Sequence, residues 1–305
     1  MLTNNNKMII NKLAKNSVKS NKKQYGILFF TIVLSAFMLF CVFTIGLTYL
    51  DSSRLQNTRL NGAEYDITTM NGFTSKQVKS LQSNKNIQNV GMESYAGFIK
   101  RSKFDNTVEI GLLWCDETFW NNLMSPARTK LDGHYPQNKN ELMVTKDILK
   151  ACGNENLSVG DSIVLTYENN TGVHTDKFVI SGIWDGYGDK SAGFVSKNFY
   201  NETGYDLKND GILCIKLNRN YVLPTTIQSL EKSLNFSDRQ IFAPTDYIEN
   251  SFKLLLGICG LALVICLSAY LLIYNILYLS ISGKIRYYGL LQSLGMTKKQ
   301  LVRFI

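Results

Sequence analysis

Histidine is nearly absent from this chain: His134 and His174 are the only two in 305 residues. Each stands beside turn residues, with no H-E-x-x-H or other paired spacing. A metal centre needs three or four converging ligands, so none is expected here. Two isolated histidines and scattered acids supply no set of nucleophile, base and orienter, and an enzyme is not expected either. No G-x-x-x-x-G-K-[ST] loop occurs; the nearest lookalike, GYGDKS at Gly186–Ser191, lacks the adjacent Gly-Lys that cradles phosphates. The six cysteines contain no C-x-x-C: Cys41, Cys259 and Cys266 lie in apolar runs, and Cys115, Cys152 and Cys214 lie between them. Three cysteines allow at most one internal disulfide, which excludes a disulfide scaffold. Acid is missing from both ends, since all 24 Asp and Glu fall between Asp51 and Glu249.

What is present is two long apolar runs, 27 uncharged residues at 24–50 and 30 at 254–283. A bilayer core about 30 Å thick is crossed by roughly 20 helical residues, and both runs clear that length. Lipid offers no partner for a backbone amide, so each run is expected as a helix. A cleaved signal peptide has an apolar region of about 7 to 15 residues and a small-residue cleavage site. The stretch 27–50 is too long for one, and LTYLDSSRL contains no such site.

Charge then orients the spans. Lys7, Lys12, Lys15, Lys19, Lys22 and Lys23 precede the first; Lys284, Arg286, Lys298, Lys299 and Arg303 follow the second. Between Asp51 and Glu249, 21 Lys and Arg face the 24 acids, a net of −3. The formal +9 of the chain therefore sits on the flanks, where it reads as the positive-inside rule and not as a nucleic-acid surface. The expectation is a multi-pass cell-membrane protein with both termini of this chain cytoplasmic and its middle outside.

The segment 1–24 carries Ile10, Leu13, Ala14 and Val18 at helical spacing beside a stripe of Lys12, Lys15, Lys19 and Lys22. That pattern predicts an amphipathic helix on an anionic lipid surface, with a plain basic tail as the alternative. Spans are expected at 25–50 and 251–280, an extracytoplasmic domain at 51–250, and a cytoplasmic elbow at 281–305.

The fold class expected is α+β: two transmembrane helices bracketing a mixed domain of two β-α-β units with a β-rich insert at about 116–205. AEYDITTM and IQNVGMESYAGFIK read as strands around a short helix capped by Thr74 or Ser75. ILCIKL, then PTTIQSLEKSLN with Pro224 at a helix start, then RQIFAP make the second unit. DGHYP, ENLSVGDSIVL, YENNTGVH and SGIWDGYG punctuate the insert with turn residues.

Gly133, Pro136, Glu141, Gly160, Asp161 and 179–182 form a Gly-x-x-Pro turn, an acid before a strand, a Gly-Asp turn and a V-x-x-G strand. At the other end, RYYGLLQSLGMTKKQLVRFI places Arg286, Gly289, Leu291, Gly295, Thr297, Gln300 and Leu301 in the pattern R-x-x-G-x-L-x-x-x-G-x-[ST]-x-x-Q-[IL]. In both respects the chain resembles the FtsX-like and MacB-like permeases of ABC transporters. Many members have Glu where this chain has Tyr287, so no contact of that Glu carries over. The resemblance implies no cofactor in this chain, ATP and Mg in a separate cytoplasmic ABC ATPase subunit, and a second permease copy or repeat. It also implies mechanotransmission: ATP hydrolysis moving the spans, and the spans moving an external domain that exports peptides, lipids or lipoproteins or confers resistance to antimicrobial peptides.

The cytoplasmic residues also make sense alone. Gly295 suits a left-handed helix stop, and Thr297 with Gln300 forms a capping box that restarts a helix at once. Arg286, Gly289, Leu291, Gly295, Thr297 and Gln300 are thus expected to shape an elbow that feels the ATPase, with further spans after Ile305. In the second span Tyr270, Tyr274 and Tyr278, with Gly257 and Gly260 nearer its outer end, are expected to form a helix–helix contact face. Ser35 and Ala36 are weaker candidates in the first. Trp114, Phe119, Trp120, Trp184 and Tyr187 are expected mostly in the core, with a ligand groove as the alternative. Two other functions fit the same layout: a cell-division regulator of wall hydrolases, and a bitopic sensor, which would continue past the second span into heptads.

Overall fold

A computed structural model describes residues 12, 15–16, 19–100, 110–187 and 192–304 of the chain. It holds a mixed α/β domain flanked by two helices long and apolar enough to cross a membrane. The first, α1 (Lys22–Asn61), is 40 residues long. Ile10, Leu13, Ala14 and Val18 lie outside the described residues; Lys12, Lys15 and Lys19 are helical and exposed.

In chain order the domain then holds β1 (Ile67–Met70), α2 (Ser75–Gln82), β2 (Ile87–Ile99), β3 (Ile110–Cys115), β4 (Arg128–Gly133), β5 (Glu141–Val144) and α3 (Lys146–Ala151). There follow β6 (Ser162–Asn169), β7 (Gly172–Gly186), β8 (Ala192–Val195), α4 (Lys197–Tyr200), β9 (Ile212–Leu217), α5 (Pro224–Ser233) and β10 (Ile241–Pro244). The second long helix is α6 (Asp246–Ser282), followed by α7 (Ile285–Ser293) and α8 (Lys298–Phe304).

Four strands in the order β10-β1-β9-β2, all antiparallel to their neighbours, carry α2 and α5 as crossovers. This is the split β-α-β arrangement of ferredoxin-like folds, and the rest of the domain is inserted between β2 and β9. The start of α2 follows from Thr74, whose hydroxyl accepts from Gln77 N while the Gln77 side chain reaches back to the Thr74 amide. Pro224 opens α5, where a missing N–H costs nothing. The apolar faces of both helices cover Ile67, Val90, Leu213 and Ile215 through Leu81, Ile227 and Leu230.

The insert closes on itself. Pairings run β2–β3, β3–β8, β8–β5, β5–β7, β7–β6 and from β6 back to β2 through Phe98↔Glu168 and Ile99↔Tyr167. Six strands thus form a ring with no free edge along that path, and β4 extends β7 outside it. Inside sit Leu112, Trp114, Leu142, Leu165, Phe178 and Ile180, all buried. Each large apolar side chain buried this way contributes about 1.5–3 kcal/mol. With thirteen residues, β2 is long enough to serve both halves, and a bulge between Tyr95 and Gly97 lets it bend from one into the other. A third cluster, Trp120, Leu123, Met124, Met143, Trp184 and Phe194, lies under the segment 116–127.

The membrane unit, residues 1–48 and 255–305, is a compact body of its own. Two contacts fix the pairing of its long helices: a Cβ on Gly46 would lie 2.7 Å from Ile258 Cδ1, and Ser280 Oγ donates to Gln24 Oε1 at 3.3 Å. Between those contacts the half-buried or buried residues recur at steps of three and four. On the first helix they include Leu28, Thr31, Ser35, Leu39, Val42 and Gly46; on the second Ile258, Ala262, Ile265, Ala269, Ile273 and Ile276. Spacing and composition, with small residues at the close approaches, are those of a packed antiparallel pair in lipid.

Candidate functional site

The elbow after the second long helix is built from backbone geometry. Gly295 has φ +96°, its N–H donates to Gln292 O, and the next N–H, of Met296, donates to Leu291 O. That pair of bonds is a Schellman stop, and a left-handed residue is its requirement. Thr297 N donates to Gln300 Oε1 at 3.0 Å and Gln300 N to Thr297 Oγ1 at 3.3 Å, so α8 restarts two residues later. Open space surrounds the Cβ positions of Gly289 and Gly295, Arg286 is exposed and Leu291 is half-buried. The arrangement places a helix stop and a capped helix start side by side, with no acidic side chain from Lys284 to Val302.

The seam between the two long helices does not run through the tyrosines. Tyr270, Tyr274 and Tyr278 are more than half exposed and stack on one another at 6.2 and 6.1 Å, and nothing lies within 4 Å of a Cβ on Gly257 or Gly260. Ser35 is on the seam and Ala36 is exposed. Sequence reasoning missed Gly46, whose lack of a side chain is the local signal for the close approach.

Within the mixed α/β domain, the C-terminal part of the first long helix is tied to the sheet by charge. Lys216 is 6% exposed, and its Nζ lies 3.1 Å from Glu64 Oε1 and 3.5 Å from Asp66 Oδ2. Arg54 reaches Glu64 at 3.9 Å and donates to Asn220 Oδ1 at 3.1 Å. Asp66 Oδ2 also accepts from Leu217 N at 2.8 Å. Burial pushes the Asp66 carboxyl above its usual range, although Lys216 and the Leu217 amide pull it down.

The separated motif residues of the insert converge on one stretch of β7. Gly133 pairs with Gly182, Glu141 with Val179, Gly160 N donates to Ile180 O and Ile180 N to Asp161 O. Gly133 has φ +87°, and a Cβ there would lie 2.2 Å from Ser181 O. Burial opposes the shift, yet bonds from Gln137 N, Asn138 N and Asn138 Nδ2 hold the Glu141 carboxyl below its usual range. These residues build the strand junction.

The aromatic residues are placed as core. Trp114, Phe119, Trp120 and Trp184 are buried and only Tyr187 reaches the surface, where Arg59 lies over its ring at 4.2 Å. Cys115, Cys152 and Cys214 are free thiols, and burial raises the first and last well above the ordinary thiol range. His134 Nδ1 meets Tyr135 O and His174 Nε2 meets Thr171 Oγ1, on separate turns. Among the described residues no three His, Cys, Asp or Glu come together. Of GYGDKS, Gly188–Ser191 lie outside the described residues.

No protein-family model matches the chain. No curated protein matches it either. Solved structures do. The periplasmic region of MacB from Actinobacillus actinomycetemcomitans is 14% identical, with 64% of this chain and 95% of that one covered at a TM-score of 0.41. The extracellular domain of the noncanonic ABC-type transporter YknZ from Gram-positive bacteria is 10% identical, with 60% and 99% covered at 0.38.

Proposed function

We propose that this chain is the membrane subunit of an ABC transporter of the mechanotransmitting kind. In this reading a separate cytoplasmic ATPase binds ATP and Mg, its turnover moves the two long helices, and the external domain moves in response. The work done outside is the export or expulsion of peptides, lipids or lipoproteins, or resistance to antimicrobial peptides. A second copy or repeat completes the membrane part. Both ends of this chain face the cytoplasm, which the cationic flanks support.

The observation that carries the reading is the elbow: a Schellman stop at Gly295 followed at once by the Thr297–Gln300 capping box. A sensor that passes signals down a coiled coil needs an unbroken heptad helix there. Here α7 spans nine residues and is separated from α8 by a left-handed glycine. Further support comes from the resemblance of Arg286–Leu301 to the permease pattern, and from an external domain whose notable residues are turn and core positions.

The test is to purify the tagged chain from cells of its source in mild detergent and assay vanadate-sensitive ATP hydrolysis. The reading predicts a co-purifying ATPase that stays bound to the Gly295→Val variant while its turnover no longer drives change in the tryptophan fluorescence of the external domain. Absence of any nucleotide-hydrolysing partner from the wild-type preparation would contradict it.

A further inference from the structure

We propose that the cleft between α2 and α5, at the end of β1 marked by Asn71, is a binding site for a phosphate ester of a polyol. The inference concerns the external domain alone and does not rest on the transporter reading. The cleft encloses about 500 Å³, within the range of small-ligand sites.

Its charge has one sign. Lys76, Lys208 and Arg239 line it, no carboxylate does, and none of the three is in an ion pair among the described residues. That is unexpected in a domain whose net charge is negative. Asp206 is close enough to feel Lys208, but its oxygens accept from Asn209 N at 2.8 Å and Asn209 Nδ2 at 2.7 Å. Three cations lining one cleft match an oxyanion of about two charges, which a phosphate monoester carries and a single carboxylate does not.

The rest of the lining specifies the organic part. Leu234 is its only apolar residue, and it is 4% exposed; the remainder are amides and hydroxyls such as Asn71, Asn235 and Ser237. Amides and hydroxyls both donate and accept, as the hydroxyls of a polyol do.

The walls are also held in place. Gln77, buried at the floor, donates to Leu234 O at 3.1 Å and pairs with the Gln240 amide at 3.2 Å. Gln240 Nε2 donates to Gly72 O at 2.7 Å, and Asn71 Nδ2 to Arg239 O at 2.8 Å. A Cβ on Gly72 would lie 1.9 Å from Lys208 O, so the Lys208 segment rests directly on that turn. Among the described residues the two non-glycine positions with positive φ are Asn71 (64°) and Asn235 (45°), and both line the cleft. Strained backbone of this kind persists where the surroundings fix it, and it concentrates at ligand sites.

The experiment uses the full chain in nanodiscs of phosphatidylcholine, titrated calorimetrically with glycerol 3-phosphate, inorganic phosphate and glycerol. Saturable binding of glycerol 3-phosphate is expected, tighter than phosphate and with none for glycerol. The triple variant Lys76→Gln/Lys208→Gln/Arg239→Gln is expected to weaken it at least tenfold, while Lys130→Gln/Lys150→Gln/Lys177→Gln leaves it unchanged. All six residues are exposed, so tryptophan fluorescence should show both triples folded. Glycerophosphoglycerol, the singly charged diester of a lipid headgroup, distinguishes the sources: the soluble monoester should bind more tightly, and tighter binding of the diester would overturn the choice of a monoester. No saturable binding, equal binding of glycerol, or equal losses in the two triples would overturn the proposal.

Discussion

Gly46 on the first long helix and Ile258 on the second are packed so closely that a Cβ on Gly46 would lie 2.7 Å from both Ile258 Cδ1 and Cγ1. Two of the obstructing atoms, Cγ1 and Cγ2, are bonded to the Cβ of a β-branched residue that has one favoured χ1 rotamer in a helix, so the side chain gives little. Gly46→Ala should therefore already lower the stability of the pair, and Gly46→Leu should lower it further, by about 1–3 kcal/mol, the usual cost of overpacking. Gly46→Leu/Ile258→Ala should recover most of the loss. Thermal unfolding in detergent checks all three.

Lys216 neutralises a carboxylate that burial disfavours. Lys216→Met removes the cation that offsets the burial of Asp66 and leaves it the Leu217 amide, a loss of about 3–5 kcal/mol wherever Asp66 is ionised. Because the folded state raises the Asp66 pKa, its protonated form is favoured by folding, and that contribution fades as pH rises through the folded value. The variant should therefore be weakest near pH 8 and regain stability as the medium is acidified. Urea melts followed by fluorescence suit this test, since Trp114, Trp120 and Trp184, the only tryptophans, all lie in the external domain.

Gly133→Ala combines a left-handed backbone with a Cβ 2.2 Å from Ser181 O. Strain alone costs about 1–3 kcal/mol, and the collision is with backbone that β4 and β7 hold in register. Loss of protection of the β4 amides in hydrogen exchange is the expected readout, with the split β-α-β half unaffected.

The stacked tyrosines expose three phenols on a helix long and apolar enough to cross a membrane, where polar groups would seek protein partners. If a second copy covers them, Tyr274→Cys in a background lacking Cys41, Cys259 and Cys266 should form a disulfide-linked dimer in membranes. Leu272→Cys, also exposed but on the opposite face of the helix from the tyrosine row, should not.

How much of this was legible beforehand depended on whether a signal was local. The capping boxes at Thr74 and Thr297, the stop at Gly295 and the helix start at Pro224 are each decided by a few adjacent residues, and each stands as its residues imply. The strand read at 63–70 is shorter, Ile67–Met70, because 62–66 turn from the first long helix into the sheet. Closure of the insert was not legible. It depends on β6 meeting β2 some seventy residues away, at Phe98↔Glu168, and alternation alone does not say which strand edges meet. The face of the second span that meets the first was equally hidden: tyrosines every fourth residue catch the eye, but the contact follows the smaller stripe through Ala262 and Ala269. The cationic cleft gathers residues from three separate stretches, 71–80, 208–209 and 233–240, and has no motif.

The most direct test of the central claim is to place a photo-crosslinking amino acid at Lys298, at the start of α8, in the chain expressed in its source cells. Irradiation followed by mass spectrometry should give a crosslink to a cytoplasmic protein carrying a G-x-x-x-x-G-K-[ST] loop, retained in Gly295→Val but altered in position. A crosslink confined to a kinase-like or coiled-coil signalling protein would contradict the account and make the external domain a sensor.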